Sequence, residues 1–286
     1  MKPYWRPLFI LTAFLILAAL LRFLIAPLLE QLPAGYSNTI TLSEDDKFRA
    51  SPDGEWQSST LVTTRVDQEI ATSGTVAIIE GGLHVYFING AVNFEVTSLY
   101  GVDRRTRKNV RGYGQVDRSG QFLFPTHVQR IGYPIWDPWF VGLRQTSFDH
   151  NEKLDGLQVY VFRFLGTGMD ETVGYNYLAA VPEKYLAHTD GQGMLWVEPL
   201  SGNVVKYEDS GTSYFVDPAN GKRVADFNQW SEKSTPETIT AQLALAHAMR
   251  LRIQALEDWL PGGLVLAGLV SLAWFVFRSK QNLPTG

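Results

Sequence analysis

Two long apolar stretches, one at each end of the chain, decide what the rest of it can be. Leu8 to Leu21 reads LFILTAFLILAALL and continues past Arg22 as FLIAPLL to Leu29. A helix over residues 8–29, at about 1.5 Å per residue, crosses a hydrocarbon layer of about 30 Å. Leu260 to Phe277, LPGGLVLAGLVSLAWFVF, carries no charge and also falls in the spanning range. Lys2 and Arg6 precede the first stretch, and Arg278 and Lys280 follow the second. The inner flanks are Glu30 and Glu257-Asp258. The positive-inside rule then puts both termini in the cytoplasm of a two-pass cell-membrane protein and everything between them outside. Trp5, Trp259 and Trp274 fall near the interfaces, where aromatic anchors sit.

The reading divides the chain into a cytoplasmic N-terminus (1–7), a first transmembrane helix (8–29), an extracytoplasmic domain (30–234), an amphipathic helix (235–259), a second transmembrane helix (260–277) and a cytoplasmic tail (278–286). A cleaved signal peptide is the alternative for the first stretch, but the stretch is long for one. Leu32-Pro33-Ala34 before Gly35 is also a poor cleavage site. Arg22 lies about two-thirds of the way across; a charge there either marks function or snorkels to the outer headgroups, and snorkelling is the expectation. Gly263, Ala267 and Ser271 recur every four residues, a small-residue face suited to helix packing against the first anchor or against a second copy.

Charge follows the same division. All 29 acidic residues lie between Glu30 and Asp258, with 20 of the 25 basic ones, so the middle carries a formal −9 against −4 for the whole chain. Such a domain does not adhere to nucleic acid or to anionic headgroups. The mean hydropathy of −0.07 averages two membrane spans with one polar body. The chain has no cysteine and no N-x-S/T sequon, which fits a prokaryotic envelope better than a eukaryotic secretory route.

The middle reads mostly as short antiparallel strands, a sandwich or an open barrel. Thr75–Glu80 and Leu83–Ile88 flank Gly81-Gly82 as a hairpin, and Asn89-Gly90 turns the chain into Ala91–Leu99. Leu157–Leu165, Thr172–Val181, Met194–Glu198 and Val204–Glu208 follow. Leu157–Leu165 is apolar on both faces, as a strand covered on both sides requires. A turn pattern recurs at Trp196–Val204 and Phe215–Val224, with a weaker copy at Gly101–Val110. An acidic residue opens each and Gly202 or Gly221 takes the left-handed position. A calcium role for these acids is the minor alternative. Thr235, Pro236 and Glu237 start a helix, and Ile239, Leu243, Ala246, Met249, Ile253, Leu256 and Leu260 form its stripe. Pro261-Gly262-Gly263 is expected to kink it.

Chemistry is sparse. There is no G-x-S-x-G, P-loop or H-E-x-x-H. The five histidines lack metal-ligand spacing, Gly166-Thr167-Gly168 lacks a third glycine, and Asp149–Gly156 reads as a solvated turn. Asp45-Asp46 gives no catalytic geometry. The densest unusual segment is Tyr133–Phe140, where Tyr133, Trp136, Trp139 and Phe140 surround Pro134 and Pro138. It plugs the core, lines an apolar ligand cleft, or touches the outer leaflet; the four aromatics are the candidate ligand-binding residues.

The N-terminal anchor followed by Leu-Pro-Ala-Gly, the Tyr100-Gly-Val-Asp-Arg-Arg-Thr turn, Phe124-Pro125, Tyr133–Asp137, the Trp196-Val-Glu-Pro turn and the C-terminal helix plus anchor form one layout. It resembles the PorA family of double-anchored bacterial envelope proteins, catalogued as a domain of unknown function and partly bearing a porin name. The resemblance covers nearly the entire chain and brings no catalytic residue. A membrane barrel needs at least eight amphipathic strands and no apolar helices. The expectation is therefore a non-enzymatic envelope protein, without cofactor or metal, that binds or presents an apolar, lipid or surface ligand at the bilayer. The alternatives are a structural subunit of a membrane complex, as a homo-oligomer or with a membrane-protein partner, and a channel.

Overall fold

A computed structural model of the chain describes residues 5–115, 117–137, 142–172, 182 and 184–281. It divides into two compact units, Met1–Gln31 with Ala248–Gly286, and Leu32–His247.

In the first unit, α1 (Trp5–Leu20) passes through a π-helical turn (Leu21–Ile25) into α2 (Ala26–Leu29). The second apolar helix repeats the pattern: α3 (Pro236–Gln254), whose end lies in this unit, passes through a π-helical turn (Ala255–Trp259) into α4 (Leu260–Gln281). Each π turn ends two residues before a proline, Pro27 or Pro261. Proline has no N–H to return to the i−4 carbonyl, and the wider turn absorbs the mismatch. This corrects the expected kink at 261–263: α4 runs through those residues, and the irregularity precedes them. The α1–α4 contact uses Gly268, where a Cβ would meet Leu11 Cδ1 at 3.0 Å and Phe14 Cβ at 3.2 Å. Phe9, Ile16, Phe23, Leu266, Leu269 and Trp274 are exposed, and both helices are long and apolar enough to cross a membrane. Arg22 donates to the Glu257 carbonyl and lies 3.1 Å from Asp258, so within this unit it has partners of its own.

The second unit is an antiparallel half-barrel, with 11 strands among the described residues. They are β1 (Ser37–Phe48), β2 (Gln57–Ser73), β3 (Val76–Phe87), β4 (Val92–Asp103), β5 (Asn109–Val110), β6 (Pro134–Asp137), β7 (Gly142–Leu154), β8 (Leu157–Asp170), β9 (Leu186–Val197), β10 (Val204–Val216) and β11 (Arg223–Ser234). Of the two expected architectures the open barrel is the one formed. Two meanders, β1 to β5 and β6 to β11, join where β1 pairs with β11. The two edge strands are bridged by one segment. Asn109 N–H donates to Gly120 O at 2.9 Å, Gln121 N–H to Pro134 O at 2.7 Å, and Trp136 N–H to Gln121 O at 3.2 Å.

Leu157–Leu165 is covered on both faces over residues 159–162, whereas Arg163 and Leu165 on its outward face are exposed. Inward, Phe162 and Phe164 pack with Leu195 and Val197 under Phe124, Val128 and Tyr133. Outward, Val159 and Val161, with Trp196 and Val205, pack under Leu243 and Ala246 of α3. Each aromatic so buried is worth about 1.5–3 kcal/mol of transfer free energy. The α3 start is capped as its sequence implies, Thr238 N–H donating to Thr235 Oγ1 at 3.3 Å.

Three expectations are corrected. Gly81-Gly82 is no turn: β3 runs straight through it, and Gly81 leaves room for Tyr100, whose Cε1 would lie 2.7 Å from a Cβ there. Residues 149–154 are not a solvated turn but the end of β7; only Asp155 and Gly156, both at positive φ, turn the chain. The strands also extend well beyond the apolar runs, and β1, β2, β5, β6, β7 and β11 have no strand counterpart in the sequence reading. The expected strand Thr172–Val181 lies, after Thr172, outside the described residues.

Candidate functional site

The three recurrent turns are built alike. Glu198 Oε2 accepts from Ser201 N–H at 2.6 Å, Asp217 Oδ1 from Ala219 N–H at 2.8 Å, and Asp103 Oδ1 from Thr106 N–H at 2.7 Å. The acids hold their own turns.

The aromatic segment is split by the strand it enters. Tyr133 is buried, its ring centroid 5.2 Å from that of Phe124 and 5.7 Å from that of Phe162. Its hydroxyl oxygen accepts from Gln129 N–H at 2.9 Å. Tyr133 thus fills the core. Trp136 lies directly opposite Leu143 in the β6–β7 pair. The neighbouring Ile135–Arg144 pair faces inward, so Trp136 and Leu143 face outward. Leu143 is exposed, and so is Leu165 on β8, at 75%. Trp139 and Phe140 lie outside the described residues. In α4, Gly263 and Ala267 are exposed, Ser271 is half-buried, and nothing lies within 4 Å of a Cβ built at Gly263.

A second constellation escaped the sequence reading. On three successive strands Glu44, Glu232 and Asp209 stand in one cross-strand row: Glu44 opposite Glu232 in β1–β11, and Glu232 opposite Asp209 in β10–β11. Two residues along, on the same face, lie Asp46 and Trp230. β1 thereby separates its adjacent acids, Asp46 inward with this group and Asp45 outward. All four carboxyl groups are buried, as are Asp137 and Glu171. The basic residue of the group, Arg144, is 3% exposed and pairs with Asp137.

Side-chain donors reach some of these carboxyls. Trp230 Nε1 donates to Asp209 Oδ1 at 2.8 Å and Tyr207 Oη to Asp209 Oδ2 at 2.9 Å. Asn228 Nδ2 donates to Asp46 Oδ1 at 3.0 Å, and Ser213 Oγ to Glu171 Oε2 at 3.1 Å. Glycines make the floor. A Cβ at Gly191 would meet Arg144 Nη1 at 3.3 Å and Trp230 Cζ2 at 3.5 Å; one at Gly193 would meet Phe164 Cζ at 2.5 Å and Asp209 Cβ at 2.6 Å. Glycines inside strands, at 191, 193 and 211, were the signal available in the sequence.

Burial sets the electrostatics. Glu44 is pushed up to about 8, first by burial and then by Asp46 and Asp209. Glu171 rises to about 9 through burial. Glu232 is held well above the carboxylate range by burial and by Asp209 and Glu44, and Asp46 and Asp209 are raised in the same direction, burial again leading. The contrast is the polar group around Asp67. There Arg65 Nε lies 2.9 Å from Oδ2, Tyr100 Oη donates to Oδ1 at 2.5 Å, and Arg118 sits 3.6 Å over the Tyr100 ring. That group is balanced, whereas the acidic row has one guanidinium among six carboxyls.

No curated protein matches the chain. Among solved structures, a DUF1329 family protein from Desulfovibrio piger aligns at 6% identity over 79% of this chain and 91% of its own, with a TM-score of 0.18. DynF, from the dynemicin biosynthesis pathway of Micromonospora chersina, aligns at 8% identity over 72% and 85%, with a TM-score of 0.15. Likenesses that distant say nothing of function. The family model described as Porin PorA matches residues 8–277, and the chain belongs to that family.

Proposed function

We propose that this protein is a non-enzymatic, membrane-anchored envelope protein, both termini cytoplasmic, whose half-barrel engages an apolar ligand, the acyl part of a membrane lipid, on its outward face. The observation that carries the reading is the two exposed leucines on the outward face, Leu143 on β7 and Leu165 on β8, beside the half-buried Trp136 on β6. Along β1 the outward positions are polar, Thr39, Thr41, Ser43, Asp45 and Lys47, with Thr60 and Thr64 flanking Val62 and with Val66 opposite on β2. A pore-forming barrel needs an apolar band all round that face. The polar row along β1 interrupts such a band, which supports a membrane-tethered binding domain over a pore, despite the family's name. The test is a photoactivatable fatty acid added to the full chain in micelles. Labelling is expected to concentrate on peptides bearing Trp136, Leu143 and Leu165, and to fall in Leu143→Ser/Leu165→Ser. Uniform labelling, or none outside the apolar helices, overturns it.

A structural role in a membrane complex is the second reading. It is favoured by Gly263 and Ala267, small residues left exposed on α4. Ala267→Cys in this cysteine-free chain is expected to cross-link to a neighbouring helix in native membranes if that face is occupied.

A further inference from the structure

We propose that the Glu44–Glu232–Asp209 row is a pH-sensitive clasp between the two meanders: neutral, it lets β1 lie against β11; ionised, it loosens that seam ahead of the rest of the sheet. Directly opposed residues on neighbouring strands have Cα atoms about 5 Å apart, and like charges so placed repel. Three acids are opposed in sequence here, on β1, β11 and β10. β1 and β11 are the strands through which the two meanders join, and they are the first and last strands of the sheet.

What faces the row decides whether it can carry charge. On β1 lies Asp46, whose oxygens accept from Asn228 Nδ2 of β11 at 3.0 Å and from Ser59 Oγ of β2 at 3.3 Å. β2 also presents the Thr63 hydroxyl, 3.5 Å from Glu44 Oε2. Trp230 of β11 and Tyr207 of β10 both donate to Asp209. β6 and β7 contribute Asp137 and Arg144, which pair with each other, and Glu171 follows β8. The good donors thus go to Asp46 and Asp209. Glu232 Oε2, in a residue 3% exposed, has no hydrogen-bond partner among the described residues. A buried carboxyl with neither donor nor counter-charge of its own keeps its proton. Burial leads, and the neighbouring acids add, in pushing Glu44 up to about 8 and holding Glu232 well above the carboxylate range. The folded state therefore favours the neutral row, and the clasp is lost as pH rises through about 8.

Position makes this a local device. Ionisation sets like charges across β1–β11 and β10–β11, whereas the opposed inward pairs of β3 and β4 include Val85–Phe94 and Leu83–Val96, which do not titrate. The seam is also tied at both ends by bonds that pH does not touch. At one end Thr235 N–H and Thr238 Oγ1 donate to Thr41 O, each at 3.0 Å, and at the other Arg49 N–H donates to Phe227 O at 2.8 Å. Loosening is confined to the stretch between, Leu42–Phe48 against Asn228–Ser234.

The test is amide exchange on the full chain in detergent at pH 6 and pH 9, each rate divided by the intrinsic rate at that pH. Protection at residues 42–48 and 228–234 is expected to fall at least about tenfold further than protection in β3 and β8. In Glu44→Gln/Glu232→Gln, which keeps both side-chain shapes without the ionisation, seam and sheet are expected to change together. The cysteine-free chain allows a second variant. Ser43→Cys/Lys233→Cys, opposed on the outward face of the seam, leaves the row intact, and its disulfide is expected to abolish the excess fall. Seam protection that falls no further than that of β3 and β8 in the wild type overturns the proposal. So does an excess fall that persists in Glu44→Gln/Glu232→Gln or under the disulfide.

Discussion

Arg22, within the first apolar helix, donates to the backbone carbonyl of Glu257 and lies 3.1 Å from the carboxylate of Asp258. The residue four positions on from that carbonyl is Pro261, which has no N–H to offer it. One side chain thus repairs a backbone defect in the other helix and neutralises an acid beside it. The ion pair is exposed on both sides, and such pairs contribute about 0–1 kcal/mol. A hydrogen bond from a charged donor is worth about 1.5–3 kcal/mol. Arg22→Ala is therefore expected to destabilise the helix pair more than Asp258→Asn does. The readout is the rate of oxidative cross-linking in Phe14→Cys/Gly268→Cys, whose Cβ positions lie 3.2 Å apart. Equal effects of the two substitutions would show that the ion pair, not the carbonyl, matters.

Stability should fall as pH rises. Glu44 titrates in the unfolded chain near 4.5 and in the folded protein at about 8; Glu171 moves from 4.5 to about 9. Between those limits the folded state holds more protons than the unfolded one. Their contribution is complete below about pH 4.5 and is lost as pH climbs through 8 and 9. The groups that face them, Asp46, Asp137, Asp209, Glu232, Tyr207 and Arg144, set the size of the effect and do not reverse it. The unfolding midpoint is expected to drop steadily from pH 5 to pH 9. Glu44→Gln should flatten the slope by up to about 1.4 kcal/mol per pH unit. A midpoint that rises over that range would contradict the burial of these carboxyls.

The glycine floor gives a steric prediction. A Cβ on Gly211 would collide with the Trp230 indole and lie 2.6 Å from the Asp190 carbonyl oxygen. Backbone cannot yield as a flexible side chain can, so Gly211→Ala is expected to cost about 1–3 kcal/mol. Gly221→Ala meets no atom but sits at φ +70°, and should cost about 1 kcal/mol from backbone strain alone. Chemical denaturation of the two variants tests the order.

The hairpins were legible where turn chemistry is local. Asn89-Gly90 and the acid-opened turns at 198–203 and 217–222 are each held by bonds inside the turn. The strands β1 and β2 were not, because their inward positions hold Glu44, Asp46, Thr63, Arg65 and Asp67 where a half-buried strand usually shows aliphatics. Polar residues at core positions erase the alternation on which strand reading depends. The acidic row was hidden for a further reason: Glu44 and Glu232 are brought together only by pairing the two ends of the domain. Tyr133 misled differently. It belongs to an aromatic segment that β6 divides, one ring to the core and Trp136 to the surface.

Gln121 is where the sheet's open edges are held. Its N–H donates to Pro134 on β6, its carbonyl accepts from Trp136, and its neighbours Gly120 and Phe122 bond Asn109 and Arg107 beside β5. Gln121→Pro removes the N–H that this segment donates to β6 while keeping an extended backbone. Loss of that bond leaves the Pro134 carbonyl at the β6 edge without its donor, and unpaired edges invite pairing with another chain. Faster amide exchange is expected at residues 120–122 and 134–137, with concentration-dependent self-association. Exchange at the β1–β11 seam should be unchanged, since the two meanders pair there independently. Acceleration at the seam as well would mean that edge and seam open together as one cooperative unit.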